Sequence, residues 1–313
     1  MKLLGFFLAC WPFLLHAQAD TTQYPFVAYW SVGDTYNFEV AKIKLDYRND
    51  TLTKADTMRY RSTFEVLEEN DSSYLIRYYF GTDMEMTQVI PPPITEMLSA
   101  YDLSSITYRT NEVGAFQRLE NWETFADAMQ ATFDAMTADA LKSPGMDSAL
   151  FRSIMDPLAA TYTTEAGILN KLVDELQHLH FFYGYSYGRY DTLRYSNHFQ
   201  NMYGGPPFPV QSTLLVEEAD WSEDYVVMRH YNQVTPEAND IFIQSMRLAY
   251  PALVEKDPDG FDQLSYDVYD DNWYAFYYNP GIPIKIENDR WITVVAEGSK
   301  NVKQERLIVT WVD

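Results

Sequence analysis

The sequence predicts an α+β fold: two related antiparallel β-meanders forming one curved or stacked sheet core, with a central helical insertion packed over it. Three observations lead there. Stretches with apolar residues at period two occur in both halves of the chain. The segment between them carries apolar residues at three- and four-residue spacing. Short motifs of the first half return, in the same order, in the second.

Taken in order, the chain opens "MKLLGFFLACWPFLLHAQAD". A lysine, an apolar run from Leu3 to Leu15 and the small-residue pattern Ala17-Gln18-Ala19 follow the plan of a secretory signal peptide over residues 1–19. The run is too short for a membrane-spanning helix, which needs about 20 residues. "FLAC", ending at Cys10, makes a poor lipobox, because the apolar run continues past it, so lipid anchoring is not expected. The expected destination is the periplasm or the extracellular side of a bacterial cell envelope. Cys10 is the only cysteine, so residues 20–313, read as a single α+β domain, hold together without disulfides. They must do so by burying apolar surface, which a chain of this length does for about three quarters of its unfolded area.

"DTYNFEVAKIKLDY" reads as a strand in which Tyr36, Phe38 and Val40 share one phase. Ala41, Ile43, Leu45 and Tyr47 then take the other, which predicts a bulge or bend. "RNDTLTKAD" reads as a polar turn, and "TMRYRSTFEVL" and "SSYLIRYYF" complete a meander. The prolines of "QVIPPPITEMLSAY" exclude a strand and allow a short helix from Ile94. "SSITYRTNEVGAFQRLEN" is a hairpin turning between Asn111 and Gly114.

The insertion, about 122–180, is read as three helices. The first carries Phe125, Met129, Phe133, Met136 and Ala140, with Asn121 as N-cap. The second starts at Asp147 and carries Leu150, Phe151, Ile154 and Leu158. The third starts after Thr163 or Thr164 and shows Ile168, Leu172, Leu176 and Leu179 on one stripe. Strands resume with "FFYGYSYGRY", "TLRYSNHF", "STLLVEE" and "DYVVMRHY". Thr235-Pro236-Glu237 opens another helix, and the C-terminus returns to strands, ending in "ERLIVTWV".

The pseudo-repeats span about 34–121 and 185–291. "STFEVLEENDSSYLIRYYF" from Ser62 aligns with "STLLVEEADWSEDYVVMRHY" from Ser212. "QVIP" at Gln88 meets "QVTP" at Gln233, "MLSAY" ending at Tyr101 meets "MRLAY" ending at Tyr250, and "GAFQRLEN" at Gly114 meets "GIPIKIEN" at Gly281.

Chemistry-bearing motifs are sparse. The aromatics of residues 181–190 put Tyr183, Tyr185 and Tyr187 on one face of an extended strand, with Tyr190 beyond. These four are the candidate ligand-binding residues; the alternative is a core wall. "GYSYG" around Ser186 matches the letters of a nucleophile elbow but lacks its strand-to-helix context. "YDVYDDNWY" places Asp267, Asp270 and Asp271 among aromatics, a composition compatible with glycoside chemistry. His178 and His180 form H-x-H, with His198 and His230 elsewhere. With no cysteine partner and no HExxH pattern, no metal and no cofactor are expected. "DPDGFD" misplaces its glycine for a calcium loop. The formal charge of −22 repels phosphate backbones and anionic lipid surfaces, which excludes nucleic-acid binding.

The leading functional expectation is an exported, non-enzymatic binding protein holding a lipid or other apolar small molecule between sheet and helices. Two alternatives stay open. One is a secreted esterase- or glycosidase-like hydrolase using a cleft near Ser186 or Asp270. The other is a structural protein that binds a cell-envelope protein through an exposed apolar patch.

Overall fold

The computed structural model describes residues 23–81, 85–86, 92–143, 148–201, 205–256 and 260–312. The signal-peptide segment, the "QVIP" at Gln88 and the first half of "DPDGFD" lie outside them.

Strand β1 (Gln23–Pro25) leads into the long hairpin β2 (Thr35–Arg48) and β3 (Thr51–Asn70). Asn49 and Asp50, both at positive φ (48° and 61°), form its two-residue turn; two successive left-handed residues match the right-handed twist of the flanking strands. β4 (Ser73–Phe80), the two-residue β5 (Glu85–Met86), α1 (Pro92–Leu98), β6 (Ser105–Asn111) and β7 (Phe116–Leu119) complete the first half. Helices α2 (Trp122–Ala140), α3 (Ser148–Tyr162), α4 (Glu165–Lys171) and α5 (Glu175–Leu179) follow. The second half runs through β8 (Ser186–Gly188), β9 (Thr192–Phe199), β10 (Phe208–Asp220) and β11 (Tyr225–Val234). It ends with α6 (Glu237–Ala249), α7 (Pro251–Lys256), β12 (Ser265–Tyr277), β13 (Ile282–Ala296) and β14 (Ser299–Val312).

The expected α+β class is corrected. Strand predominates among the described residues, and 11 strands follow one another in a single antiparallel sheet. Their order is β7-β6-β4-β3-β2-β14-β13-β12-β11-β10-β9, with β5 on β3 and β1 paired to β8 apart. The helices are short, and α2, α3 and α4 pack chiefly on one another rather than forming a layer over the sheet. Two physical causes explain the difference. The polar "RNDTLTKAD" is not a loop: it is the tip of a hairpin whose strands run 14 and 20 residues, well past the core. The single stripe over Ile168 to Leu179 is broken between α4 and α5, where the Leu172 carbonyl accepts from Lys42 Nζ (3.1 Å). Asn121 does not cap α2; its side chain instead accepts from Thr107 N–H and donates to the Ser105 carbonyl.

Much of what covers the sheet is non-helical chain, joined by Phe125 of α2, Ile168 of α4, and Leu176 and Leu179 of α5. Tyr24, Phe26, Ala28 and Trp30 are all buried, as are Phe182, Tyr183 and Tyr187. They pack with Phe38, Phe64, Ile76, Tyr108, Tyr274 and Phe276 in one aromatic core. A second, smaller core forms where Ala238 and Phe242 of α6 meet Val210, Val234 and Val268.

The stretches that align in sequence hold matching ladder positions. Ser62 pairs with Phe80 and Ser212 with Asn232. Both ladders skip one residue, between Val66 and Glu68 and between Val216 and Glu218. A second bulge recurs likewise on the next strands, where the ladders pass over Gln117 of β7, opposite Arg109/Thr110, and Ile284 of β13, opposite Ala275/Phe276. The turns that follow β6 and β12 both grip the N-terminal segment: Ala28 N–H donates to Val113 O (3.0 Å) and Tyr29 N–H to Pro280 O (3.2 Å).

Ladder register also assigns faces. Val40, Val309, Ile286, Tyr274 and Met228 are successive cross-strand partners on the core side. No bulge interrupts β2 between Val40 and Ala41. The parity switch therefore has a cause other than a bulge. Beyond Val40 the core-side positions become Lys42, Lys44 and Asp46, while Ala41, Ile43, Leu45 and Tyr47 face outward. The sheet exchanges its apolar face along its own strands.

Candidate functional site

Where the exchange occurs, a polar band crosses the core side of the sheet between the two apolar clusters. Cross-strand partners place Ser212, Asn232, Asp270, Arg290, Glu305 and Lys44 in one row, from β10 to β2. His230, Asn272 and Asn288 form the adjacent row. Ser212, His230, Asn232, Asp270 and Asn272 are buried. In such a place polar groups persist only if they are hydrogen-bonded.

They are. Arg290 grips Asp270 with Nε and Nη2, both 2.7 Å from the carboxylate oxygens. The fork geometry is the strong form of this pair. The guanidinium also lies 4.5 Å from the ring centre of Phe199. Ser212 donates to Asn232 Oδ1 (2.6 Å), and Asn288 donates to Asn272. Tyr195 OH meets His230 Nε2 (3.0 Å), and Tyr274 OH meets His178 Nδ1 (2.9 Å). Phe181 stacks on His230, with ring centres 4.8 Å apart. Burial pushes His230 down to about 4 and lowers His178, so both rings are neutral at pH 7.

The first half has a counterpart built differently. Ser62, Tyr78 and Tyr108 hold the ladder positions of Ser212, His230 and Tyr274. Into this group α5 inserts Glu175, fully buried. Its carboxylate accepts from Tyr60 OH (2.5 Å) and lies 2.7 Å from Lys42 Nζ, which also binds Asp174 (2.6 Å). Burial raises Glu175 above the ordinary carboxyl range, although Lys42 opposes it. Burial, and after it the Glu175 charge, push the hydroxyls of Tyr60, Tyr78 and Tyr108 well above theirs. Beside this group His180 donates Nδ1–H to Gly114 O (2.7 Å), because a carbonyl can only accept; its Nε2 then accepts from Tyr108 OH (2.8 Å).

The four tyrosines singled out by sequence are separated. Tyr183 is buried, its ring against Trp30 and Phe276 and its hydroxyl on Gly281 O (2.6 Å). Tyr187 is buried against Phe26. Tyr185 and Tyr190 are exposed. The strand alternation fails because the chain turns through Gly184, at φ +87°. Ser186 sits exposed in β8, opposite Pro25, with no helix following. Asp270 is placed in the band beside His230, with its charge committed to Arg290. Among the described residues no group of three or more His, Cys, Asp or Glu is arranged to hold a metal. Two depressions lie elsewhere, one beside Trp122 and Gln130, the other beside Asn37 and Arg61.

A feature that sequence reading missed lies on the outward face. Ile43, Leu45 and Tyr47 share it with Val302 and Ile308 of β14, Trp291 of β13 and Tyr269 of β12. None belongs to either core cluster. Tyr231, Tyr269 and Trp291 stack in sequence, at 6.3 and 5.7 Å between centres. Ion pairs Arg229–Asp271 (2.5 Å) and Arg306–Asp289 (2.9 Å) lie between the apolar rows. The alternation of Ile43, Leu45 and Tyr47 was the available signal.

No protein-family description matches the chain. No curated protein matches it either. Among solved structures, a match is the crystal structure of Ail, the attachment invasion locus protein of Yersinia pestis, at 5% identity over 90% of this chain and 99% of that one. Its TM-score of 0.13 is too low to carry an argument about fold or function. Among the described residues no helix is long and apolar enough to cross a membrane, which leaves strands unaddressed.

Proposed function

We propose that this chain is an exported, non-enzymatic binding protein of the cell envelope, which engages a protein partner through the outward face of its long strands. The observation that carries the reading is the exchange of faces. Apolar side chains from β2, β12, β13 and β14 converge on the outward face, where they are half-buried and belong to neither core cluster. Apolar patches of that kind mark interaction sites more often than chance. Aromatic anchors with interspersed ion pairs are the usual make-up of protein interfaces. The opening residues support export through their signal-peptide pattern. Between sheet and helices, the aromatic core is filled by Trp30, Phe182 and Tyr183, which favours the outer surface over an enclosed ligand. In the polar band Asp270, Ser212 and His230 are each engaged by a neighbour, an arrangement suited to fixing the sheet.

The test is retention of the purified mature protein on isolated envelope fractions. Wild type is expected to be retained and Leu45→Ser/Trp291→Ser to be released, with unchanged circular dichroism. Equal retention of the two overturns the reading. Lipid co-purifying with the wild type in stoichiometric amount returns the carrier reading to first place.

A further inference from the structure

The sheet is open, with β7 at one end and β9 at the other, and its two edges are treated differently. β7 has only 4 residues, and its Leu119 N–H donates to Glu165 Oε1 at the start of α4 (2.8 Å). β9 has 8 residues and pairs with β10 in unbroken register, from Phe199 opposite Phe208 to Thr192 opposite Leu215. It contains no proline, lysine or bulge, and all of it except Phe199 is exposed. Proteins blunt such edges because a row of unpaired N–H and C=O groups templates another strand. Among the described residues the one such device on this strand is the single charge of Arg194.

We infer that β9 receives an extended segment of another protein as an additional strand, one whose residues alternate between apolar and acidic. The side chains choose the partner. On the core side β9 offers Leu193 and Tyr195, 45% and 37% exposed, continuing the apolar surface of Leu214 and Phe208. On the other side it offers Thr192, Arg194, Ser196 and His198. Arg194 is exposed and has no ion-pair partner among the described residues. Facing side chains in a ladder lie about 5 Å apart, inside the screening length of about 8 Å at physiological salt. Local pairing with Arg194 therefore decides the match, despite the chain's net charge of −22. The inference goes beyond the sheet-face reading and uses none of its residues.

The test uses fluorescence anisotropy of the mature protein with three labelled ten-residue peptides. These are alternating Val–Glu, alternating Val–Lys, and Val–Glu N-methylated at every residue. The Val–Glu peptide is expected to bind saturably and the Val–Lys peptide about threefold to fivefold more weakly, the span of one cross-strand charge pair. Arg194→Glu is expected to reverse that order, and N-methylation to abolish binding by removing the ladder donors. Absence of saturable binding, equal binding of the N-methylated peptide, an order that Arg194→Glu leaves unchanged, or a chain already dimeric through β9 overturns the inference.

Discussion

The two halves of the sheet meet the same problem and solve it in different ways. Both carry a buried serine, Ser62 or Ser212, on the same ladder position ahead of the same bulge. In the first half the balancing charges come from two distant elements, Glu175 on α5 and Lys42 on β2. In the second half both charges, Asp270 and Arg290, belong to adjacent strands and face each other across one rung. The difference teaches how a sheet tolerates polarity in its interior. A pair built within the ladder forms as the ladder forms. A pair brought in by a helix depends on that helix docking, and binds it to the sheet.

The largest effect is expected where that dependence is deepest. Lys42→Met leaves Glu175 buried and uncompensated, and should cost about 3 to 5 kcal/mol in urea unfolding, the range for breaking one side of a buried pair. Lys42→Met/Glu175→Leu should regain most of the loss, since a buried pair can often be replaced by apolar packing. The second half should be more forgiving. Asp270→Asn should cost about 2 kcal/mol, the scale of a charged hydrogen bond, because the Arg290 side chain remains 35% exposed and can rehydrate. Equal losses in the two halves would remove the contrast.

The matching turns sharpen the comparison. An added Cβ at Gly281, at φ +78°, would sit 2.3 Å from the Val27 backbone oxygen. At Gly114, φ +93°, it would meet the side chains of Tyr183 and Ala28 at 2.7 and 2.8 Å. Both substitutions carry the strain of a left-handed backbone, about 1 to 3 kcal/mol. Gly281→Ala should therefore lower Tm further than Gly114→Ala, because a backbone oxygen yields less than a ring.

Acid should act on both halves through His180 and His230, each pushed down to about 4 by burial. An unfolded histidine titrates near 6.5. Between roughly pH 6.5 and 4 the unfolded chain binds protons that the folded chain refuses, so stability falls as pH falls. The full loss is on the order of 3 kcal/mol per ring. Glu175, held above its ordinary value, works the other way. The informative quantity is therefore the difference between wild type and His230→Gln, whose stability should depend less on pH across that window.

Much of the strand order was legible in the sequence, because alternation in "STFEVL" and "STLLVEE" marks a half-buried ladder wherever it falls. The turn from Asn111 to Gly114 was legible for a local reason: the Asn111 side chain accepts from Val113 and Ala115 N–H, and Gly114 supplies the positive φ. What was not legible depends on distance. The switch from Val40 to Ala41 looked like a bulge or bend because alternation alone cannot distinguish a bulged strand from an unbulged one that leaves its core. Glu175 fell inside the expected third helix with nothing to mark it, and Asp270 was one acid of a cluster, until Lys42 and Arg290 arrived from other strands. The aromatics of "FFYGYSYGRY" were divided by a single glycine turn, which sent Tyr183 into the core and left Tyr185 in solvent.

The smallest effect on stability, and the largest on function, belongs to the outward face. Leu45→Ser should cost below about 1 kcal/mol, as for a surface site. The most direct test of the account is a photoreactive benzophenone side chain placed at Leu45 in cells that express the protein, with the same group at the exposed Val32 as control. The account predicts a discrete cross-linked partner from position 45 and none from position 32. A partner captured only from position 32, or from neither, would contradict it.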